Sequence, residues 1–192
     1  GTNYSPFTDS VVTLFETRRF TNSIYSNRLT AFLQDTWTKT IDSANIYINA
    51  GVRTQYWDFN NQLVFSPRVV LAFEPNWTQD WLFRLSGGAY HQPPFYKEVF
   101  DRHGNKNQNI KAQESYHIVG GADYNFMAWR RPFKFVAEVY YKKLQNLIPY
   151  TVDNLRIIYE GDNKAEGYAT GLDFKITGEF VKGVDSWLSV SL

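Results

Sequence analysis

The sequence contains no cysteine, and its 192 residues carry a formal net charge of only +1. Without thiols there is no disulfide, no zinc–thiolate centre and no thiol nucleophile, although this absence fixes no compartment. Near-neutrality excludes the broad basic field that nucleic acid requires, and no acidic tail is present. No stretch of about eighteen apolar residues exists, so a membrane-spanning helix is excluded. Also missing are a GxSxG elbow, an HExxH helix and a glycine-rich phosphate loop, which leaves enzymatic activity without support. Charged residues make up 20% of the chain, below the usual quarter or so. Aromatic residues are abundant instead, at 18%.

The apolar residues follow a period of two, which makes strands with one oily and one wet face. In residues 45–58, Ile46, Ile48, Ala50, Val52 and Tyr56 oppose Asn45, Asn49, Arg53 and Gln55. Residues 63–74, 115–126, 133–142 and 168–180 repeat the pattern, while 28–39 and 81–90 alternate less cleanly. Residues 187–192 begin one more strand. The reading is all-β: eight antiparallel strands in an up-and-down order. On it, Val52, Leu71, Phe135 and Phe174 meet lipid, and Arg53, Glu138, Asp173 and Lys175 face inward. Pro67 lies within a strand and is read as a bulge, since proline removes a ladder donor.

Connection lengths alternate as well. Short polar turns at 40–44, 75–80, 127–132 and 181–186 interleave with longer segments at 59–62, 91–111 and 145–166. Five of the six tryptophans (Trp37, Trp77, Trp81, Trp129 and Trp187) lie in or beside the short turns. Amphipathic rings settle at a membrane–water interface, and outer-membrane barrels have short periplasmic turns and longer external loops. These features predict a transmembrane β-barrel with an inner girdle of those five rings and Trp57 in an outer one. A soluble β-sandwich carbohydrate-binding module, lectin-like, is the competing reading, although its strands are usually only about 5–6 residues long.

Residues 1–27 are read as an irregular or loop-like lead-in and 28–192 as wall and loops of one β-barrel domain. Leu192 falls inside a strand, and an open edge is not tolerated in hydrocarbon. The expectation is therefore part of a larger barrel. Gly1 opens a polar stretch without a charged-then-apolar leader, so any signal peptide is expected to be gone already.

Several segments, in this order, are similar to the barrel of TonB-dependent outer-membrane receptors, particularly of the Bacteroidetes type. They are Ala31-Phe32-Leu33-Gln34-Asp35-Thr36-Trp37, Asn49-Ala50-Gly51-Val52-Arg53, Phe65-Ser66-Pro67-Arg68, Gln92-Pro93-Pro94-Phe95-Tyr96-Lys97-Glu98, and Glu166-Gly167-Tyr168-Ala169-Thr170-Gly171-Leu172-Asp173. The plug domain, the coupling box and the aromatic-ended last strand of that family are not in this sequence. The resemblance implies the outer membrane of a Gram-negative bacterium and uptake of a nutrient powered from the inner membrane. The implied partners are outer-membrane lipid, the receptor's own plug domain, TonB, an unidentified nutrient and a surface lipoprotein; nucleic acid and cofactors are not among them. A passive barrel or assembly scaffold is the alternative within the same fold.

Candidate functional residues fall in two groups. Arg53, Arg68 and Arg84, with Glu138, lie on wet strand faces and are candidates to line the lumen. If residues 59–62 form a symmetric loop, Arg53 and Arg68 stand directly opposite each other, a like-charge pair needing an anion. Neutralisation by Glu74, Glu138 and water is the plainer alternative. The ligand-contacting candidates mix rings with polar groups: Tyr90, His91, Gln92, Phe95 and Tyr96 in one long loop, Tyr150, Asp153 and Arg156 in the other. Packing of the loops alone would use the same aromatics. His91 and His103, with Glu98 and Asp101, are too irregularly spaced to specify a metal site.

Overall fold

Period-two alternation folds here as one continuous antiparallel sheet. A computed structural model describes residues 23–153 and 155–192, and no residue among them is helical. Ten strands form: β1 (Arg28–Ile41), β2 (Ala44–Trp57), β3 (Gln62–Pro75), β4 (Asp80–Gln92), β5 (Gln113–Ala128), β6 (Arg131–Leu147), β7 (Tyr150–Asp153), β8 (Arg156–Tyr159), β9 (Ala165–Val181) and β10 (Val184–Ser191). Eight of them make the main sheet in the order β1-β2-β3-β4-β5-β6-β9-β10, each paired with its neighbour in sequence apart from the interposed β7–β8 hairpin. Most of these strands run 13 to 17 residues. A barrel strand crosses hydrocarbon in about 9–11 residues, so their ends project beyond it. No second large sheet packs across the first among the described residues. The β-sandwich reading falls on that observation.

Registers place each residue on a face. Val52, Leu71, Phe135 and Phe174 share the apolar face, and Arg53, Glu138, Asp173 and Lys175 share the other. β1 explains its own imperfect pattern: Asp35 and Lys39 fall on the apolar face with Leu33 and Trp37, while Phe32 falls on the polar face opposite Arg53.

The short turns are built for hairpin twist. Trp129 and Arg130 both adopt positive φ (51° and 63°), the conformation that suits a two-residue turn between right-twisted strands. Gly183, at φ 79°, takes the same region without a Cβ penalty. Between β6 and β9 two rings fill holes left by glycines. Phe133 lies opposite Gly178 on the apolar face and Tyr140 opposite Gly171 on the polar face. A Cβ on either glycine would run into the ring.

Four expectations need correction. Pro67 makes no bulge against β2, whose register runs unbroken from Ala44↔Pro75 to Trp57↔Gln62. It instead adjoins the end of the β3–β4 ladder at Arg68↔Gly88, so the strand tolerates the missing donor where one neighbour has parted. Second, Arg53 and Arg68 are not directly opposite, because the β2–β3 turn begins at Asp58 rather than Phe59. Asp58 is held by the backbone N–H and side-chain amide of Asn27 at 2.8 and 3.0 Å, and Arg53 pairs with Ser66, Arg68 with Gly51. Third, the β9–β10 register shifts between Val184 and Ser186, which puts Trp187 opposite Thr177 on the polar face, not in the girdle. Its ring instead receives the Lys175 ammonium at 5.7 Å. Fourth, Trp57 is not an outer girdle residue. It is 2% exposed, buried among the long loops.

Candidate functional site: the loop cap and the polar wall

Two long connections, residues 93–112 and 148–164, fold at the end of the sheet where β2 and β3 also meet. Their small apolar core is Trp57, Val99, Ile110 and Ile148, with Ile24, Phe59, Phe100 and Tyr159 packed around it. Trp57 stacks on Phe59 at 4.8 Å, donates its Nε1–H to Ser26 Oγ at 3.1 Å and carries the Arg28 guanidinium 4.4 Å above its ring. Arg28 also donates to the Pro94 carbonyl at 2.6 Å and lies 5.2 Å from the Tyr96 ring centre. Side-chain amides then tie loop to loop. Asn60 donates to the Ile110 carbonyl at 2.6 Å, and Gln62 Oε1 accepts the Ala112 N–H at 2.8 Å. Asn163 Oδ1 accepts the Lys111 N–H at 2.7 Å, and its Nδ2 donates to the Asn146 carbonyl at 2.6 Å. Buried Glu98 accepts the Phe95 N–H at 2.8 Å. These contacts make one cap.

Within it, Asp101 organises a turn by accepting from the Asn105 side chain (2.9 Å) and from the backbone N–H groups of His103 and Asn105 (both 2.8 Å). Those donors, the Asn105 amide foremost, hold the Asp101 carboxyl below the ordinary aspartate range. Gly161 passes against the backbone of Phe100 and Asp101 at φ 68°, leaving no room for a side chain. Beside that crossing opens a cleft of about 500 Å³ between the first loop and the β7–β8 hairpin, lined by Tyr96, Phe100, Arg102, Arg156, Ile157 and Tyr159 among others.

The structure thus brings Tyr96 and Arg156 together and leaves other candidates apart. Tyr90 lies on the polar face of β4, its ring 4.6 Å from that of His117. His91 turns away from the cleft, against Ser66 Oγ at 3.1 Å and near Glu114 at 4.0 Å. Gln92 and Phe95 are exposed at the loop's start, and Tyr150 packs edge-on to Tyr159 at 6.0 Å. Asp153 pairs with Arg156 in the hairpin register; its side chain is outside the described set. Sequence reasoning missed Phe100, Arg102 and Tyr159. The run 150–159, apolar and β-branched on both sides of Asn154-Leu155, was the available hairpin signal.

On the polar wall, Asp123 is the best-buried charge, its side chain 7% exposed. It accepts from Arg84 at 2.6 Å and Lys134 at 2.7 Å, and Arg84 reaches Glu138 at 3.0 Å. Two cations and two anions therefore cancel. Glu74, for its part, accepts from Asn45 and Tyr47 at 3.2 and 2.9 Å.

The family model for TonB dependent receptor-like β-barrels matches residues 1–192. The chain belongs to that family. No curated protein and no solved structure matches it. The eight-stranded sheet is accordingly barrel wall of an outer-membrane receptor or transporter. In such a wall the apolar face meets hydrocarbon and the polar face lines the lumen. Trp37 and Trp81 then stand on the lipid side, Trp81 stacked on Tyr124 at 4.4 Å. Trp77 and Trp129 meet lipid-side Phe83 and Phe133 edge-on.

Proposed function

We propose that this chain forms wall and external loops of a nutrient receptor in a Gram-negative outer membrane, emptied inward by TonB acting through a plug domain. The short-turn end faces the periplasm and the cap faces the medium. The observation that carries this reading is the cap itself. Two loops distant in sequence share one core and leave an open cleft that combines rings (Tyr96, Phe100, Tyr159) with two arginines (Arg102, Arg156). Rings supply apolar contact area and the guanidiniums fix orientation, which suits first capture of a polar ligand with an apolar body.

The test is uptake by cells carrying the full-length receptor, with and without a proton gradient. Collapse of uptake without the gradient is expected; undiminished uptake would favour the passive barrel. Tyr96→Ala is expected to weaken ligand affinity by about 1 kcal/mol or more while leaving the receptor's thermal unfolding unchanged. A mutant that unfolds earlier and binds as before would reduce Tyr96 to a packing residue.

A further inference from the structure

The lumenal face holds its arginines in two contrasting settings. Arg84 is answered by Asp123 and Glu138. Arg53 and Arg68, nearer the cap, are not so answered among the described residues. They share the polar face of β2 and β3, one step off the direct pair, where diagonal neighbours stand about 7–8 Å apart. Among the described residues neither has a carboxylate within 4.0 Å, the separation at which even the looser His91–Glu114 pair is met. Arg68 donates to Gln34 Oε1, a neutral acceptor. The carboxylates that could have quenched them, Glu74 and Glu138, are engaged elsewhere.

Beside the two arginines lies a concavity of about 650 Å³, lined also by Thr30, Phe32, Ser66 and Tyr90 of the polar face and, at its margin, by Leu33 and Val52 of the apolar face. Phe32 is 79% and Tyr90 42% exposed, two rings beside the arginines on the polar face. Two guanidiniums one diagonal step apart can converge on a single anion, and the planar guanidinium fork matches a carboxylate or phosphate with two parallel hydrogen bonds. Flanking rings add stacking surface for a flat, apolar body.

We infer that Arg53 and Arg68 form a lumenal seat for a small-molecule anion, one whose carboxylate or phosphate oxygens project from a planar apolar frame. The seat lies below the cap, on the route from the external cleft to the periplasm. It rests on the receptor reading and names the chemistry of the ligand.

The test uses the full-length receptor in detergent, titrated calorimetrically with trimesate (a benzene ring bearing three carboxylates) and with its neutral triamide. Trimesate should bind, more weakly as salt rises, and the triamide should not. Arg53→Gln and Arg68→Gln should each weaken trimesate binding about tenfold. Lys175→Gln, on the same face of β9, should leave it unchanged. Arg68→Lys keeps the charge without the fork and should give a smaller loss; it replaces a glutamine variant that does not fold. Equal binding of the triamide, or unchanged trimesate affinity in the arginine variants, would overturn the seat. A lower unfolding temperature without any change in trimesate affinity would also overturn it, because a plug carboxylate would then be the occupant. Uptake is not read in this experiment, so failed binding leaves energised transport standing, and failed transport leaves the seat standing.

Discussion

The wall and the cap solve opposite problems with the same residue types. In the wall, Leu33, Val69, Leu71 and Leu188 point outward and are exposed, because their solvent is hydrocarbon and the backbone groups are paired strand to strand. In the cap, Trp57, Val99, Ile110 and Ile148 turn inward and vanish from the surface, because their solvent is water. An apolar residue stabilises the first region by being uncovered and the second by being covered. One chain therefore contains two parts that a mutation can separate.

The sharpest break is expected at Trp57→Ala. Truncating a buried tryptophan costs about 3–5 kcal/mol, and here the loss should fall on the cap. Hydrogen exchange should accelerate across residues 93–112 and 148–164 while β2 and β5 stay protected. Equal acceleration in the strands would deny that the two parts are separable. Next comes Val52→Arg, near the middle of β2 on the lipid face, with an expected loss of about 2–4 kcal/mol. Phe135→Arg, closer to the Trp129 turn, should cost less, since the penalty falls toward the interface. Unfolding of the full receptor in vesicles measures both; an equal cost would contradict the assigned depth.

The polar face sets a third test. Asp123→Asn removes the anion that Arg84 and Lys134 share, and hydrogen bonds to charged groups are worth about 1.5–3 kcal/mol. A loss in that range, relieved by a second substitution Lys134→Met, is expected from a thermodynamic cycle. The absence of any coupling would show that lumenal water screens the network.

Smallest is the pH response of the Asp101 turn. A carboxyl depressed on folding contributes stability above its unfolded value, near pH 4 or so, and loses it as pH falls through the lower folded value. Protection of the His103 and Asn105 amides, taken relative to intrinsic exchange at each pH, should thus hold down to about pH 4 and fall below it. Loss of protection well above that pH would mean the turn does not depend on Asp101.

Much of the wall was legible because a strand's period is two and one face is oily: β2, β5 and β9 announce their facing residue by residue. Registers were less legible. The offset of Arg53 from Arg68 follows from a turn that starts at Asp58, a residue held by Asn27, and the facing of Trp187 follows from a shift beside Val184. Neither leaves a trace in hydrophobic pattern. The cap was least legible, since its contacts join residues far apart in sequence, such as Arg28 with Pro94 and Asn107 with Gly161. Tyr96 and Arg156 were found by chemistry. That they line one cleft follows only from the fold.

The paired rings and glycines of β6 and β9 carry a consequence for how such a wall is assembled. Strands with a repeating pattern can slide by two residues and still present the correct faces. A two-residue slip here would set Phe133 against Ile176 or Phe180, and Tyr140 against Ala169 or Asp173, instead of the two glycines that receive them. Because one ring sits on each face and the notches are seven residues apart in β9 (Gly171 and Gly178), both must seat at once. The pair works like a key with teeth on both edges, admitting one alignment while the barrel is still closing.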